Sequence, residues 1–118
     1  MALKRLRIQH ETLGWVAGPV LWARTPWHRF WGLMGTRRLP AGQGLLLERT
    51  NAVHGFFMRY PLHLVFLSRQ HQVLKIAWLK PWGICMARGA YWVLELSPDT
   101  AMIGLQTGDR VTWEEWAP

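Results

Sequence analysis

Residues 61–79, PLHLVFLSRQHQVLKIAWL, decide the fold class. Leu62–Leu67 and Val73–Leu79 are short apolar segments rich in β-branched and aromatic residues, each bounded by turn-forming residues, which is the signature of strands. The polar stretch Ser68-Arg69-Gln70-His71-Gln72 between them reads as a hairpin loop, so the two strands pair antiparallel. It lacks the Asn-Gly or Asp-Gly dipeptide that would specify the turn type.

The same grammar extends in both directions. Leu45–Glu48, Val53–Tyr60, Tyr91–Leu96 and Val111–Trp113 read as further strands, and one or two more fall within Leu3–Trp22, where Gly14, Gly18 and Pro19 blur the limits. Two short helices have recognisable starts. Thr25-Pro26 supplies an N-cap hydroxyl and a proline at the first helical position, followed by Trp27, Phe30, Trp31 and Met34 at helical spacing and a stop at Gly35. Ser97-Pro98-Asp99 repeats the arrangement, with Gly104 as its stop. Both helices are too short to stand unless docked. The sum predicts one mainly β domain over residues 1–118, at the border of α+β: a compact antiparallel barrel or sandwich with two short helices.

The 118 residues are 50% hydrophobic and include nine Trp, enough apolar surface to order the chain and too many indoles for all to be central. Trp27, Trp31, Trp78 and Trp92 are expected in the core, and Trp15, Trp22, Trp82, Trp113 and Trp116 partly exposed. Net charge is +7, distributed unevenly: residues 1–94 carry 13 Lys and Arg against Glu11 and Glu48, whereas residues 95–118 carry five carboxylates against Arg110. That polarity suits a polyanion, an anionic membrane surface or an acidic partner, and equally an acidic end folded back on a basic body. The lone Cys85 excludes an internal disulfide and a thiolate metal cluster. No signal peptide or apolar span is legible, so a cytoplasmic soluble protein is expected, unless the N-terminus has been trimmed.

The order of several short pieces adds a resemblance. From Phe30 to Val111 the chain carries Gly32-Leu33-Met34, Leu39-Pro40, Gly44-Leu45-Leu46-Leu47, His54-Gly55-Phe56-Phe57-Met58-Arg59-Tyr60-Pro61-Leu62, Val65-Phe66-Leu67, Gly89-Ala90, Val93-Leu94-Glu95-Leu96 and Gly108-Asp109. In that order and spacing it resembles the uncharacterised family called domain of unknown function 192, also named uncharacterised protein family 0127. The resemblance implies a compact, mainly β domain with short helices and no established activity. The chain departs from the family's pattern at His63, where an Asp is usual, at Gln70-His71, where the turn is usually Asp-Gly, and at Asp99, where a Gly is usual.

Four residues are the candidate ligand-binding set. Alternation along a strand over 53–60 sets Arg59 on one face with Gly55 leaving space beside it, and His54 on the other. A guanidinium among aromatics binds a carboxylate or phosphate through paired hydrogen bonds. The competing reading of Arg59 is an internal ion pair with Glu95, which stands among apolar residues and needs a partner if buried. His63 on the next strand is placed to approach Arg59. His54, His63 and His71 lack metal-ligand spacing, so no metal is expected. No phosphate loop, nucleophile elbow or paired acid/base carboxylates is present, so no cofactor is expected and catalysis is not favoured.

These features point to a non-enzymatic module binding a small ligand or a protein. Nucleic-acid binding through a basic, Trp/Arg-rich surface is the second, less favoured reading. An enzyme of unrecognised type with a site near Arg59, His63 and Glu95 is the third. Oligomeric state and pathway are not encoded in any motif here.

Overall fold

The computed structural model describes residues 4–23, 39–102 and 104–117. Among the described residues nine strands carry the fold: β1 (Arg5–His10), β2 (Gly14–Ala23), β3 (Gly44–Glu48), β4 (Ala52–His54), β5 (Leu62–Leu67), β6 (Val73–Leu79), β7 (Ile84–Met86), β8 (Trp92–Leu96) and β9 (Val111–Glu115). Seven of them form one sheet in the order β6-β5-β8-β3-β2-β1-β9, and β4 pairs with β7 in a separate two-stranded sheet.

The central strands β5, β8 and β3 are buried almost throughout, which is why they read as continuous apolar runs rather than alternations. Val65, Leu67, Leu94, Leu96 and Leu46 belong to the core on one face, and Leu62, Leu64, Phe66, Val93 and Leu47 to the core on the other. The small β4-β7 sheet packs on this second face. Val53 lies inside that core and Cys85 lies against it, while the alternate residues Ala52, His54, Ile84 and Met86 face outward.

The anticipated β5-β6 hairpin is present and antiparallel, closed by hydrogen bonds from the Ser68 amide to the Gln72 carbonyl and from the His71 amide to the Ser68 carbonyl. The acidic end does fold back: β9 pairs with β1, setting Glu114 opposite Arg7 and Glu115 opposite Leu6. Charges on such an edge strand discourage pairing with other chains.

Several expectations are corrected. The large sheet does not close into a barrel, because among the described residues its edge strands meet at one end only, where Gln72 and Arg110 form an isolated bridge. It is not wholly antiparallel either, since β2 and β3 run parallel. No helix occurs among the described residues. The helix expected from Thr25 to Gly35 lies outside them.

The second expected helix is instead a turn. The Ser97 hydroxyl donates to the Leu39 carbonyl and accepts from the Asp99 amide, and the Thr100 hydroxyl accepts from the Gly42 amide. Side chains that satisfy a neighbouring loop in this way compete with a helix of two turns. β4 ends at His54 rather than running to Tyr60, and β7 was not anticipated. Trp78, expected inside, is exposed on the edge strand β6 with its ring against His63.

Gly44 shows how tightly the sheet is assembled. It pairs with Val20 on one side and Leu96 on the other, and a Cβ there would overlap the Glu95 carbonyl oxygen. A glycine inside a strand commonly marks such a close backbone approach. Gly44→Ala is therefore expected to cost about 2 kcal/mol or more, because the β8 backbone at Glu95 and Leu96 must shift. Equilibrium denaturant unfolding checks this, and an unchanged midpoint would show that the sheet yields freely at this position.

Candidate functional site

The four residues proposed from sequence do not all lie on one face of the sheet. His63 alternates with Leu62 and Leu64 and so lies on the face of Val65 and Leu67. Glu95 lies between Leu94 and Leu96 and so points to the opposite face, fully buried, where it pairs in register with Leu45 and Leu64. The sheet itself separates them. Arg59 sits in the bend before β5 and is exposed, and among the described residues no ion pair joins it to Glu95. The strand alternation on which the Arg59 geometry rested does not exist beyond His54.

His63 has a structural explanation. Partial burial lowers its pKa, opposed by a hydrogen bond to the Pro98 carbonyl. A ring so held stays neutral at physiological pH and ties β5 to the 97–100 turn.

His54 leads to a different grouping. Its ring stacks on Phe56 at 4.4 Å, and its Nδ1 accepts a hydrogen bond from the Phe56 amide. Beyond Phe56 stand Trp82 at 6.0 Å, and Phe57, whose ring lies 4.8 Å from that of Trp82. Two tight turns, 55–58 and 80–83, hold these rings together. The Gly55 amide donates to the Gly83 carbonyl at 2.8 Å, the Trp82 amide to the Gly55 carbonyl at 2.7 Å, and the Gly83 amide to the Lys80 carbonyl at 2.9 Å. Gly55 is required for this approach, since a Cβ would lie 2.5 Å from the Lys80 carbonyl oxygen.

The turns display their side chains instead of burying them. Phe57 is 74% exposed, Trp82 59% and Phe56 41%, and on the adjoining outer face of β7 Ile84 is 70% and Met86 63% exposed. Phe57 and Trp82 both have left-handed backbone, with φ of 66° at each. That conformation costs a residue bearing Cβ about 1–2 kcal/mol, and it is unusual for bulky side chains. Contiguous exposed apolar groups of this kind mark contact surfaces.

Sequence reasoning missed Phe56, Phe57, Trp82, Ile84 and Met86 as a group. The Pro81-Trp82-Gly83 turn signal was available to place a tryptophan at a turn tip. Nothing local could show that the Phe56-Phe57 turn would stand beside it.

Most other exposed or half-buried aromatics are occupied with one another. His71 stacks on Trp113 at 3.8 Å, Trp92 lies 4.8 Å from Trp113 and 6.2 Å from Trp22, and Trp15 lies 5.7 Å from Trp116. Among the described residues no group of three or more His, Cys, Asp or Glu could hold a metal ion. No described helix is long and apolar enough to cross a membrane.

A separate cleft among the described residues, lined by His10, Leu13, Trp15, Val16, Met102 and Leu105, holds about 30 Å³, about a tenth of the smallest usual ligand pocket. His10 has a clear structural task at its wall. Its Nδ1 accepts from the Thr12 and Leu13 amides, so its Nε2 carries the proton and donates to the Asp109 carboxylate at 2.8 Å. The hydrogen bond from His10, followed by one from the Gln106 amide, lowers the Asp109 pKa.

The comparisons with known proteins agree with this architecture. The chain belongs to the domain of unknown function 192 family (DUF192, Uncharacterized ACR), whose model matches residues 9–113. It is 35% identical over 72 residues to a UPF0127 protein of Pyrococcus furiosus, a match covering 58% of this chain and 61% of that relative. The chain thus matches less than two thirds of the relative's length. A crystal structure of a protein of unknown function from Novosphingobium aromaticivorans DSM 12444 superposes with a TM-score of 0.74 at 23% identity, over 92% of this chain and 84% of that one. A Sinorhizobium meliloti 1021 structure, whose description proposes a transcription regulator, gives 0.74 at 20% identity over 96% of each chain. At these identities the likeness is one of fold. The resemblance read from residues 30–111 is borne out.

Two outcomes follow. Asp109, its pKa depressed in the folded state, adds stability that is complete above the ordinary carboxylate range and is lost as pH falls through the lower folded value. The unfolding midpoint of Asp109→Asn should therefore fall below wild type near neutral pH, and the gap should close in acid. A gap independent of pH would rule out this linkage. Gly55→Ala should displace the 80–83 turn and lower the midpoint, since the clash is with backbone; amide exchange at Trp82 and Gly83 would show whether the turn is released.

Proposed function

We propose that the protein is a non-enzymatic binding module whose contact surface is the aromatic tip formed by Phe56, Phe57 and Trp82 with Ile84 and Met86. The observation that carries this reading is the pair of bulky, highly exposed aromatics in left-handed backbone. A fold gains little from such residues, because their apolar area stays in water and their backbone is strained. Retaining them makes physical sense where a partner buries them.

The separation of His63 from Glu95 by the sheet, and the exposure of Arg59 in a bend, support this reading over an enzyme centred on those three residues. Of the sequence-derived set, His54 remains part of the proposed surface through its stack on Phe56, and Arg59 flanks it two residues after Phe57.

The test separates contact from packing. Asn tolerates left-handed backbone better than Phe or Trp, so Phe57→Asn and Trp82→Asn should leave the thermal midpoint unchanged or raised. A photocrosslinking side chain at position 57 should, in cells, give adducts that are absent when it is placed at the exposed Thr112 on β9. Marked destabilisation of both Asn variants, or no adduct at position 57, would overturn the proposal.

A further inference from the structure

We propose that this tip seats on an anionic phospholipid surface, with Phe57, Trp82, Ile84 and Met86 entering the headgroup boundary while neighbouring Lys and Arg side chains meet the lipid phosphates. The inference rests on the contact-surface reading above and names its partner.

The charge around the tip is of one sign along the chain. Residues 49–94 contain Arg49, Arg59, Arg69, Lys75, Lys80 and Arg88 and no Asp or Glu. Four of these cations lie next to the apolar group, by contact or along the chain. The Lys75 ammonium donates to the Met86 carbonyl at 2.8 Å, and the Lys80 carbonyl closes the turn that carries Trp82. Arg59 follows Phe57 by two residues, Arg88 follows Met86 by two, and all four are exposed. An apolar patch whose neighbours in sequence are cations without an intervening carboxylate complements a surface that is apolar within and anionic at its boundary.

The exposed aromatics stand at the tips of two turns, so the surface protrudes. Protruding aromatic and aliphatic side chains suit the interfacial zone of a bilayer, where amphipathic Trp is favoured and apolar groups leave water.

Chemistry decides against the nearest rival, a single nucleic-acid strand. Bases bind by stacking on open ring faces. Here His54 and Phe56 are stacked on each other, and the most exposed β7 residues are Ile84 and Met86, which have no rings. The other tryptophans are largely engaged in their own ring contacts. An acidic protein surface would match the cations but not the protruding aliphatic and aromatic mixture as well as a bilayer does.

The experiment is co-sedimentation of the full chain with vesicles of phosphatidylcholine alone and of phosphatidylcholine with phosphatidylglycerol, at low and high salt. The expected result is binding to the anionic vesicles that weakens with salt. The Phe57→Asn/Trp82→Asn double variant should reduce partitioning by about tenfold or more, because each lost side chain contributes transfer of apolar area. Lys80→Glu and Arg88→Glu should reduce binding to anionic vesicles selectively. No binding to anionic vesicles at low salt, or binding indifferent to the double variant, overturns the lipid proposal. If position 57 then crosslinks to protein or nucleic acid, or single-stranded DNA binding is lost in the same double variant, the contact surface stands and its partner is not a membrane. If position 57 gives no adducts either, both readings fall.

Discussion

The arrangement depends on backbone pairing along β8, which is held on both sides at once: Glu95 faces Leu45 of β3 and Leu64 of β5, and Leu94 faces Leu46 and Val65. A strand so placed has no free edge, and both its faces must be covered, so its neighbours are forced to be apolar in the same register. The requirement reaches the chain's glycines, because Gly44 can lie against the Glu95 carbonyl only without a Cβ. It also divides the molecule into two cores, one on each side of the sheet. His63 and Glu95 are consequently kept apart, although they lie on adjacent strands.

On the second face the β4-β7 sheet supplies a cover that is itself two-sided. Val53 and Cys85 serve the core, leaving Ile84, Met86 and His54 outside. The two turns that continue from these strands are lashed together by amides and carbonyls of Gly55, Trp82 and Gly83. Hydrogen bonding between backbones therefore holds Phe57 and Trp82 out in water, in a conformation that their side chains oppose. A local cost maintained by surrounding structure is a common companion of function, and here it coincides with exposed apolar area and an acid-free run of sequence.

Apolar runs made β3, β5, β6 and β8 legible, since two-sided burial writes itself as continuous hydrophobicity. The acidic tail's return was legible as one of two readings of the charge asymmetry, and β1-β9 pairing realises it. The helix expected after Ser97 failed because capping residues also make turns, and the Leu39 carbonyl and Gly42 amide drew Ser97 and Thr100 into a loop contact instead. The Arg59 geometry failed because Phe56 and Phe57 read equally well as strand until the turn at Gly55 is known. Ile84–Met86 is too short to announce itself as a strand.

Sequence by itself determined that the chain is mainly β, that it belongs with its family, and that its cations and carboxylates are segregated. These properties are local or additive: side-chain periodicity, motif order and a sum of charges. Tertiary structure alone decided that β2 and β3 run parallel, that the large sheet stays open, and that two turns far apart in sequence present one aromatic tip. Each of those facts depends on pairing across long separations, where hydrogen bonds are satisfied by partners that no local pattern names.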